Sequence, residues 1–390
     1  MRAAVGALAA ASAVAALCAC GSGAPKDPGS EPPIGAVRQA RIRARYFQLH
    51  RGVMPRILDH ANLYAADSAG DLSPGVRSYR PLVYVPNSQS NSVYEIDQRT
   101  YRVVRRFRTG VLPQHVTPSW DLHRLWVLND GGNSLTPIDP RTGHQGRRIQ
   151  VRDPYNMYFT PDGRYAMVVA ELLSRLDFRD ARTMRLHRSL HVRCLGIDHM
   201  DFTANGRYAL ASCEFAGELV VIDVKRQRVA RTIRLRPGVS PQDVKLSPDG
   251  RVFYVADQRA GGVWLVHARG FRPFGLVPTG VGAHGLYASR DGRFLYVTNR
   301  AEGSISVISF RTRRPVRKWR IPGGGSPDMG GVSADGRVLW LTGRWNAEVY
   351  AIDTRTGRLI RRIRVGRGPH GLCVYPQPGR YSLGHTGILR

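Results

Sequence analysis

Seven short stretches recur along the chain, and each places one imidazole, carboxylate or amide at the same point. They read "PQHVTPSWD", "PYNMYFTPDG", "IDHMDFTANG", "PQDVKLSPDG", "AHGLYASRDG", "SPDMGGVSADG" and "PHGLCVYPQPG". Aligned, the polar residues are His115, Asn156, His199, Asp243, His284, Asp328 and His370. Brought together, they form a nitrogen and oxygen donor set suited to a divalent transition metal such as Zn, Cu, Fe or Ni. His115, His199, His284 and His370 are its candidate metal ligands. A neutral imidazole beside an aspartate also serves as acid or base near neutral pH. The same groups equally suit a polar lining that bonds neighbouring strands and water. Gly285 and Gly371, directly after two of the histidines, fit close backbone packing and favour that second role. Gln114, Asp198, Asp201 and Gln242 flank the set. Glu171 and Glu214 end two equivalent runs, "VVAE" and "ASCE", where the ordinary role of a carboxylate is a loop cap. The sequence has no G-x-S-x-G elbow, no H-E-x-x-H and no strand-to-helix phosphate loop. No residue is assigned a catalytic role.

The elements that must position these residues follow from the spacing. Successive polar residues lie 41, 43, 44, 41, 44 and 42 positions apart. After each comes an apolar run, such as "LWVLND", "AMVVAE", "ALASCE", "FYVADQ", "LYVTNR" and "LWLTGR". An alternating run follows ("LTPID", "LVVID", "ISVIS", "VYAID"), then a turn and a basic run ("RTIRL", "VRKWRI", "RRIRVG"). The runs are short, β-branched and aromatic, and are bounded by Gly, Asp and Pro, so they are strands. Four strands per repeat of roughly 40–45 residues is the period of a propeller blade. Seven inner strands predict a seven-bladed, all-β propeller. The last blade lacks a downstream second strand, and "LVYVPNSQSNSVYEID" with "RVVRRFRTG" supplies the missing three from upstream. One blade is therefore expected to join the two ends of the chain and leave no open edge. Inner strands line the channel, so the seven polar residues are expected around one mouth. The Asp-Gly pairs at 162–163, 249–250, 291–292 and 335–336 read as tight turns.

"LYVTNR", "LVYVPN" and "IDTRTGRLIRRIRVGRGPHGL" resemble the YVTN-repeat β-propellers, the YncE-like group, over roughly residues 82–376. The resemblance implies the fold. It leaves binding platforms, sugar-lactone hydrolysis and redox cofactor housing open as functions. The complete histidine ring of copper-cluster propellers is broken here by Asn156, Asp243 and Asp328.

Residues 1–19, "MRAAVGALAAASAVAALCA", read as a secretory signal. "LCAC" resembles a bacterial lipobox with Cys20 as the lipidated residue. Residues 20–40 form a Gly/Pro/Ser-rich tether. Residues 41–80 fall outside the repeat and are expected to pack on the propeller, which spans 81–390 with a C-terminal tail over one face. Cys194 and Cys213 are candidates for a disulfide in an oxidising compartment. They fit buried thiols as well, and Cys373 stands apart. The formal charge is +29, and the only lysines are Lys26, Lys225, Lys245 and Lys318. Arginines repeat on the outermost strands, as in Arg102, Arg105, Arg106 and Arg108, then Arg228, Arg231 and Arg234. Such a rim protects edges from aggregation and adheres to polyanions. The expectation is a monomeric, exported binding or scaffold module, lipid-anchored on the outer side of the bacterial cytoplasmic membrane. Its partners would be anionic envelope components or another envelope protein, with nucleic acid held only weakly and by charge alone. The alternative is a metal-dependent enzyme or redox accessory that uses the His/Asp ring.

Overall fold

A computed structural model describes residues 52–390. The proposed signal, Cys20 and the tether lie outside them. The described chain forms seven antiparallel sheets arranged as a seven-bladed propeller. The inner strands, in chain order, are Pro113–Pro118, Asn156–Phe159, Ile197–Phe202, Pro241–Leu246, Ala283–Ala288, Pro327–Val332 and Cys373–Tyr375. The last of these pairs with Leu82–Asn87, which continues to Ser92–Asp97 and Val103–Arg108. One blade thus takes its inner strand from the end of the repeat region and three strands from its start.

Alternation along the strands explains the layering. Successive side chains point to opposite faces, and both faces of a middle strand meet a neighbouring blade. Middle strands are accordingly apolar and buried throughout, as in Val252–Asp257. Each fully buried Val, Leu or Phe there contributes about 1.5–3 kcal/mol. Outer strands meet a neighbour on one face only, and Val103–Arg108 alternates between half-buried and exposed.

One blade departs from four regular strands. Its outer strand is split into His144–Gln145 and Ile149–Gln150, which pair with the two ends of Ser134–Asp139. Pro137 lies between the paired segments and has no N–H to donate. Only its carbonyl is used, accepting from Gly146 N at 2.8 Å.

The inner strands share a second irregularity. Register shifts fall at Pro113/His115, Ile197/Met200, Pro241/Val244, Ala283/Leu286 and Pro327/Gly330. A bulge re-aims side chains at the position of the extra residue; in four of the five it takes in the repeat's polar residue, His199, Asp243, His284 or Asp328, and in the Pro113–Pro118 strand it falls at Gln114. It also frees a backbone N–H. In three blades a Ser or Thr of the second strand accepts it: Ser212 Oγ from His199 N, Thr298 Oγ1 from Gly285 N and Thr342 Oγ1 from Met329 N, at 3.1, 2.7 and 3.2 Å. The threonine of "LYVTNR" is therefore a bulge cap. The following Asn299 donates to Ser304 Oγ and Ser306 Oγ and ties the next turn.

The Asp-Gly turns all lie at the opposite end of the channel from the bulges. Gly163, Gly250, Gly292 and Gly336 each take a left-handed φ there. Two segments cross this end. Residues 52–80 bond to the turns through Leu63 N to Pro248 O and Gly70 N to Ala334 O. Asp67 pairs with Arg290. The tail enters the channel, with Phe159 N donating to Leu383 O at 3.0 Å and Tyr381 stacked on Trp120. Ile388 and Leu389 are fully buried. Arg390 is buried against Asp201 at 3.1 Å and lies over the Tyr64 ring. The tail thus fills one end of the channel.

Candidate functional site

The starts of the inner strands bring the four repeat histidines together at the channel axis. Ring centroids are 4.8 Å apart for His115 and His370, 5.8 Å for His115 and His199, 6.2 Å for His199 and His284, and 5.9 Å for His284 and His370. All four are buried. Burial lowers His115 to about 4 and His284 to about 3, and holds His199 and His370 well below the ordinary imidazole value. They are neutral at physiological pH.

The other three repeat positions turn sideways. Asp243 accepts from Val244 N at 2.9 Å and from Leu286 N of the next blade at 2.9 Å. Asn156 accepts from Met157 N through its Oδ1 and directs its Nδ2 to His199 Nδ1 at 3.0 Å. Asp328 takes His370 Nδ1 at 2.8 Å, His284 Nδ1 at 3.3 Å and Arg300 at 3.2 Å. Burial alone would raise Asp328, but Arg300 with the two imidazoles outweighs it and holds the carboxylate well below its usual range. Of the four expected metal ligands, His284 and His370 are thus engaged by Asp328. Among the described residues, the histidines that can offer donor atoms to one ion are His115, His199 and His385, with those atoms within 4.8 Å of one another. His385 replaces the other two. It comes from the tail, outside the repeat, and its ring lies 4.1 Å from His115 and 5.2 Å from His199.

Glycine at 371 makes this stacking fit. A Cβ there would lie 1.9 Å from His115 Cδ2 and 2.9 Å from His385 Cε1. Cys194 and Cys213 form a disulfide, which ties the loop entering the His199 strand to the end of the strand beside it. Cys373 is a buried thiol.

The end opposite the tail carries a second, larger set of charges. Second strands are followed there by Asp130, Glu171, Glu214, Gln258, Arg300 and Arg344. The acidic members form one arc, joined by Asp153 and by Asp198 beneath. Burial, then repulsion from Asp153, pushes Asp130 up to about 7. Burial, then repulsion from Glu214, Asp130 and Asp153, pushes Glu171 up to about 8. Glu214 is raised by burial, although Gln242 and Gln258 bond to it. Asp198 is fully buried and raised well above its usual value, first by burial and then by Glu214 and Glu171. The basic members form the other arc. Gln258 bridges the two, donating to Glu214 at 2.7 Å and accepting from Arg300 at 2.8 Å. Arg344 Nη1 has no hydrogen-bond partner. Around this mouth the loop tips Leu172, Leu195, Phe215, Val281 and Trp345 are exposed. The sequence reading singled out Glu171 and Glu214 as a pair of loop caps. The signal that reveals the arc was the last letter of each apolar run, read as a ring: D, E, E, Q, R, R.

A family model described as YNCE-like beta-propeller matches residues 50–379. No curated protein matches the chain in sequence. Among solved structures, Kuenenia stuttgartiensis hydrazine synthase is similar at 19% identity and a TM-score of 0.63, covering 71% of this chain and 93% of that one. Pseudomonas aeruginosa periplasmic gluconolactonase is similar at 20% identity and a TM-score of 0.64, covering 76% and 99%. A structure of dihydro-heme d1 dehydrogenase NirN is similar at 15% identity and a TM-score of 0.59, covering 83% and 82%. At these identities the likeness is one of fold, and propellers of this kind host unrelated chemistries.

Proposed function

Because the chain belongs to the YNCE-like β-propeller family, in which the fold leaves function to the site, we propose that it is an exported, lipid-anchored binding module of the cell envelope. Its ligand is small and dipolar. The cationic group faces the carboxylate arc of Asp130, Glu171 and Glu214, and the anionic group faces Arg300 and Arg344. The observation that carries this reading is the division of one mouth into an acidic and a basic arc while the chain's own tail fills the other end. Like charges held close and half-buried raise the acids toward neutrality, and a bound cation relieves that repulsion. The Cys194–Cys213 bridge supports an oxidising compartment.

Calorimetry with α- and ω-amino acids, which vary the spacing of ammonium and carboxylate, tests the proposal against methylammonium and acetate. At least one amino acid should bind more tightly than either half. Glu171→Gln and Arg344→Gln should each weaken it about tenfold, or ~1.4 kcal/mol. If no amino acid outbinds the two halves, the reading fails.

One observation favours a second reading. Glu171, raised to about 8, holds a proton at neutral pH beside Glu214, which is the arrangement of a general acid next to a base. Turnover of a sugar lactone, lost in Glu171→Gln, would place the mouth among hydrolases instead.

A further inference from the structure

We propose that His115, His199 and His385 bind a late first-row divalent ion, with zinc the best match, at the floor of the channel beneath the charged mouth. This inference is independent of the dipolar ligand.

The argument starts from buried atoms that lack partners. His115 Nδ1 donates to the Tyr155 carbonyl at 2.7 Å. That bond fixes the tautomer and leaves Nε2 as a lone-pair donor, the outer-shell arrangement typical of metal-bound histidine. His115 Nε2 is buried and has no hydrogen-bond partner. His199 Nε2 is in the same condition. Its Nδ1 accepts from Asn156 Nδ2 at 3.0 Å, so Nε2 carries the ring proton, which an ion taking this position displaces. Asp198 Oδ1 lies 3.2 Å from His199 Nε2 without hydrogen-bond alignment, and neither oxygen of Asp198 has a hydrogen-bond partner. Two imidazole nitrogens and both oxygens of one carboxylate are therefore unmatched, all on residues with no exposed surface. Each buried orphan is costly, and native proteins rarely keep several together without an ion or water among them.

A cation satisfies all of them at once. The imidazoles supply nitrogen donors once the ion displaces the His199 Nε2 proton, and Asp198, in giving up its own proton, supplies a charge to offset the ion. Three nitrogens and a carboxylate oxygen suit zinc. Donors bonded at about 2.1 Å to a tetrahedral ion lie ~3.4 Å apart. The Asp198–His199 approach already has that length. The three imidazole donors, within 4.8 Å, must draw in by up to ~1.4 Å to reach that spacing. His385 comes from the tail and not from a strand. It sits on the short 3-10 turn His385–Gly387, between Gly384 and Gly387, both with left-handed φ. His284 and His370 fall outside the set of imidazoles whose donor atoms lie within 4.8 Å of one another.

The test uses the full chain, stripped with a chelator and titrated with Zn²⁺ and Co²⁺. One equivalent should bind, raise the melting temperature and give the intense visible spectrum of four-coordinate cobalt. His115→Gln and His385→Gln should each weaken binding at least 100-fold. Asp198→Asn should weaken it roughly 10- to 100-fold. His284→Gln should stay within about twofold of the parent. X-ray absorption on the zinc-loaded parent needs no variant and should count three imidazole ligands. The proposal is overturned if neither ion binds, in which case water occupies the site. It is also overturned if fewer than three imidazoles are counted, if His385→Gln binds like the parent, or if His284→Gln abolishes binding.

Discussion

At the scale of single residues, the channel sets two groups of titrations against each other. Acids of the mouth have folded pKa values above their unfolded ones, with Asp130 at about 7 and Glu171 at about 8. The stability they contribute is complete below the unfolded carboxylate pKa and is lost as pH rises through those values. Buried imidazoles behave oppositely. His284, lowered to about 3, contributes stability that is present above the unfolded imidazole pKa and is lost as pH falls below it toward 3. Between pH ~6.5 and ~8 only the acid effect operates, and below ~6.5 the imidazole effect opposes it. The melting temperature should therefore fall most steeply with rising pH between ~6.5 and ~8. Calorimetric scans should show that fall flattened in Glu171→Gln and the opposing imidazole effect reduced in His284→Gln. An unchanged fall in Glu171→Gln would contradict the placement of that side chain. The repeat histidines were legible from their spacing, because each lies one blade after the last. His385 was not, since it belongs to no repeat and no periodic signal marks it. Asp198 was visible only as a neighbour of His199. Its importance comes from the bulge that turns both residues inward, and alignment of strand residues does not show a bulge.

At the scale of elements, the propeller pattern was readable because middle strands are apolar throughout and outer strands alternate. The seven inner strands and the shared blade follow from that pattern. The split outer strand 144–150 was not foreseen, although Pro137 in the neighbouring strand was the cause in plain view. The recurring Ser or Thr near the end of the second strand reads as β-propensity in the sequence. In the structure it holds the inner-strand bulge. Thr298→Val keeps shape and removes the acceptor for Gly285 N. Leaving that buried N–H unmatched should cost about 1–3 kcal/mol. Denaturant titration measures this, and a shift under ~0.5 kcal/mol would mean that the N–H finds another partner. Because Gly285 follows His284, the same variant should also disturb the imidazole cluster.

At the scale of the whole molecule, charge and closure dominate. The full sequence carries a formal charge of +29, and among the described residues few rim arginines meet an acid; Arg234 with Glu218 and Arg362 with Glu348 are among the pairs. The protein should adsorb to phosphatidylglycerol vesicles at 0.1 M salt and be released toward 1 M, as the screening length shrinks from about 10 Å to about 3 Å. Co-sedimentation measures it, and retention at 1 M salt would point to the exposed loop tips in place of charge. Closure carries a consequence in time. Leu82–Asn87 pairs with Cys373–Tyr375, so one edge of the first-made sheet has no partner until almost the whole chain exists. At about 5–20 residues per second, synthesis leaves that edge bare for roughly 15 to 60 s. The growing chain is then an incomplete ring with a template for misassociation, and whatever receives it during manufacture must guard that edge until the last blade arrives.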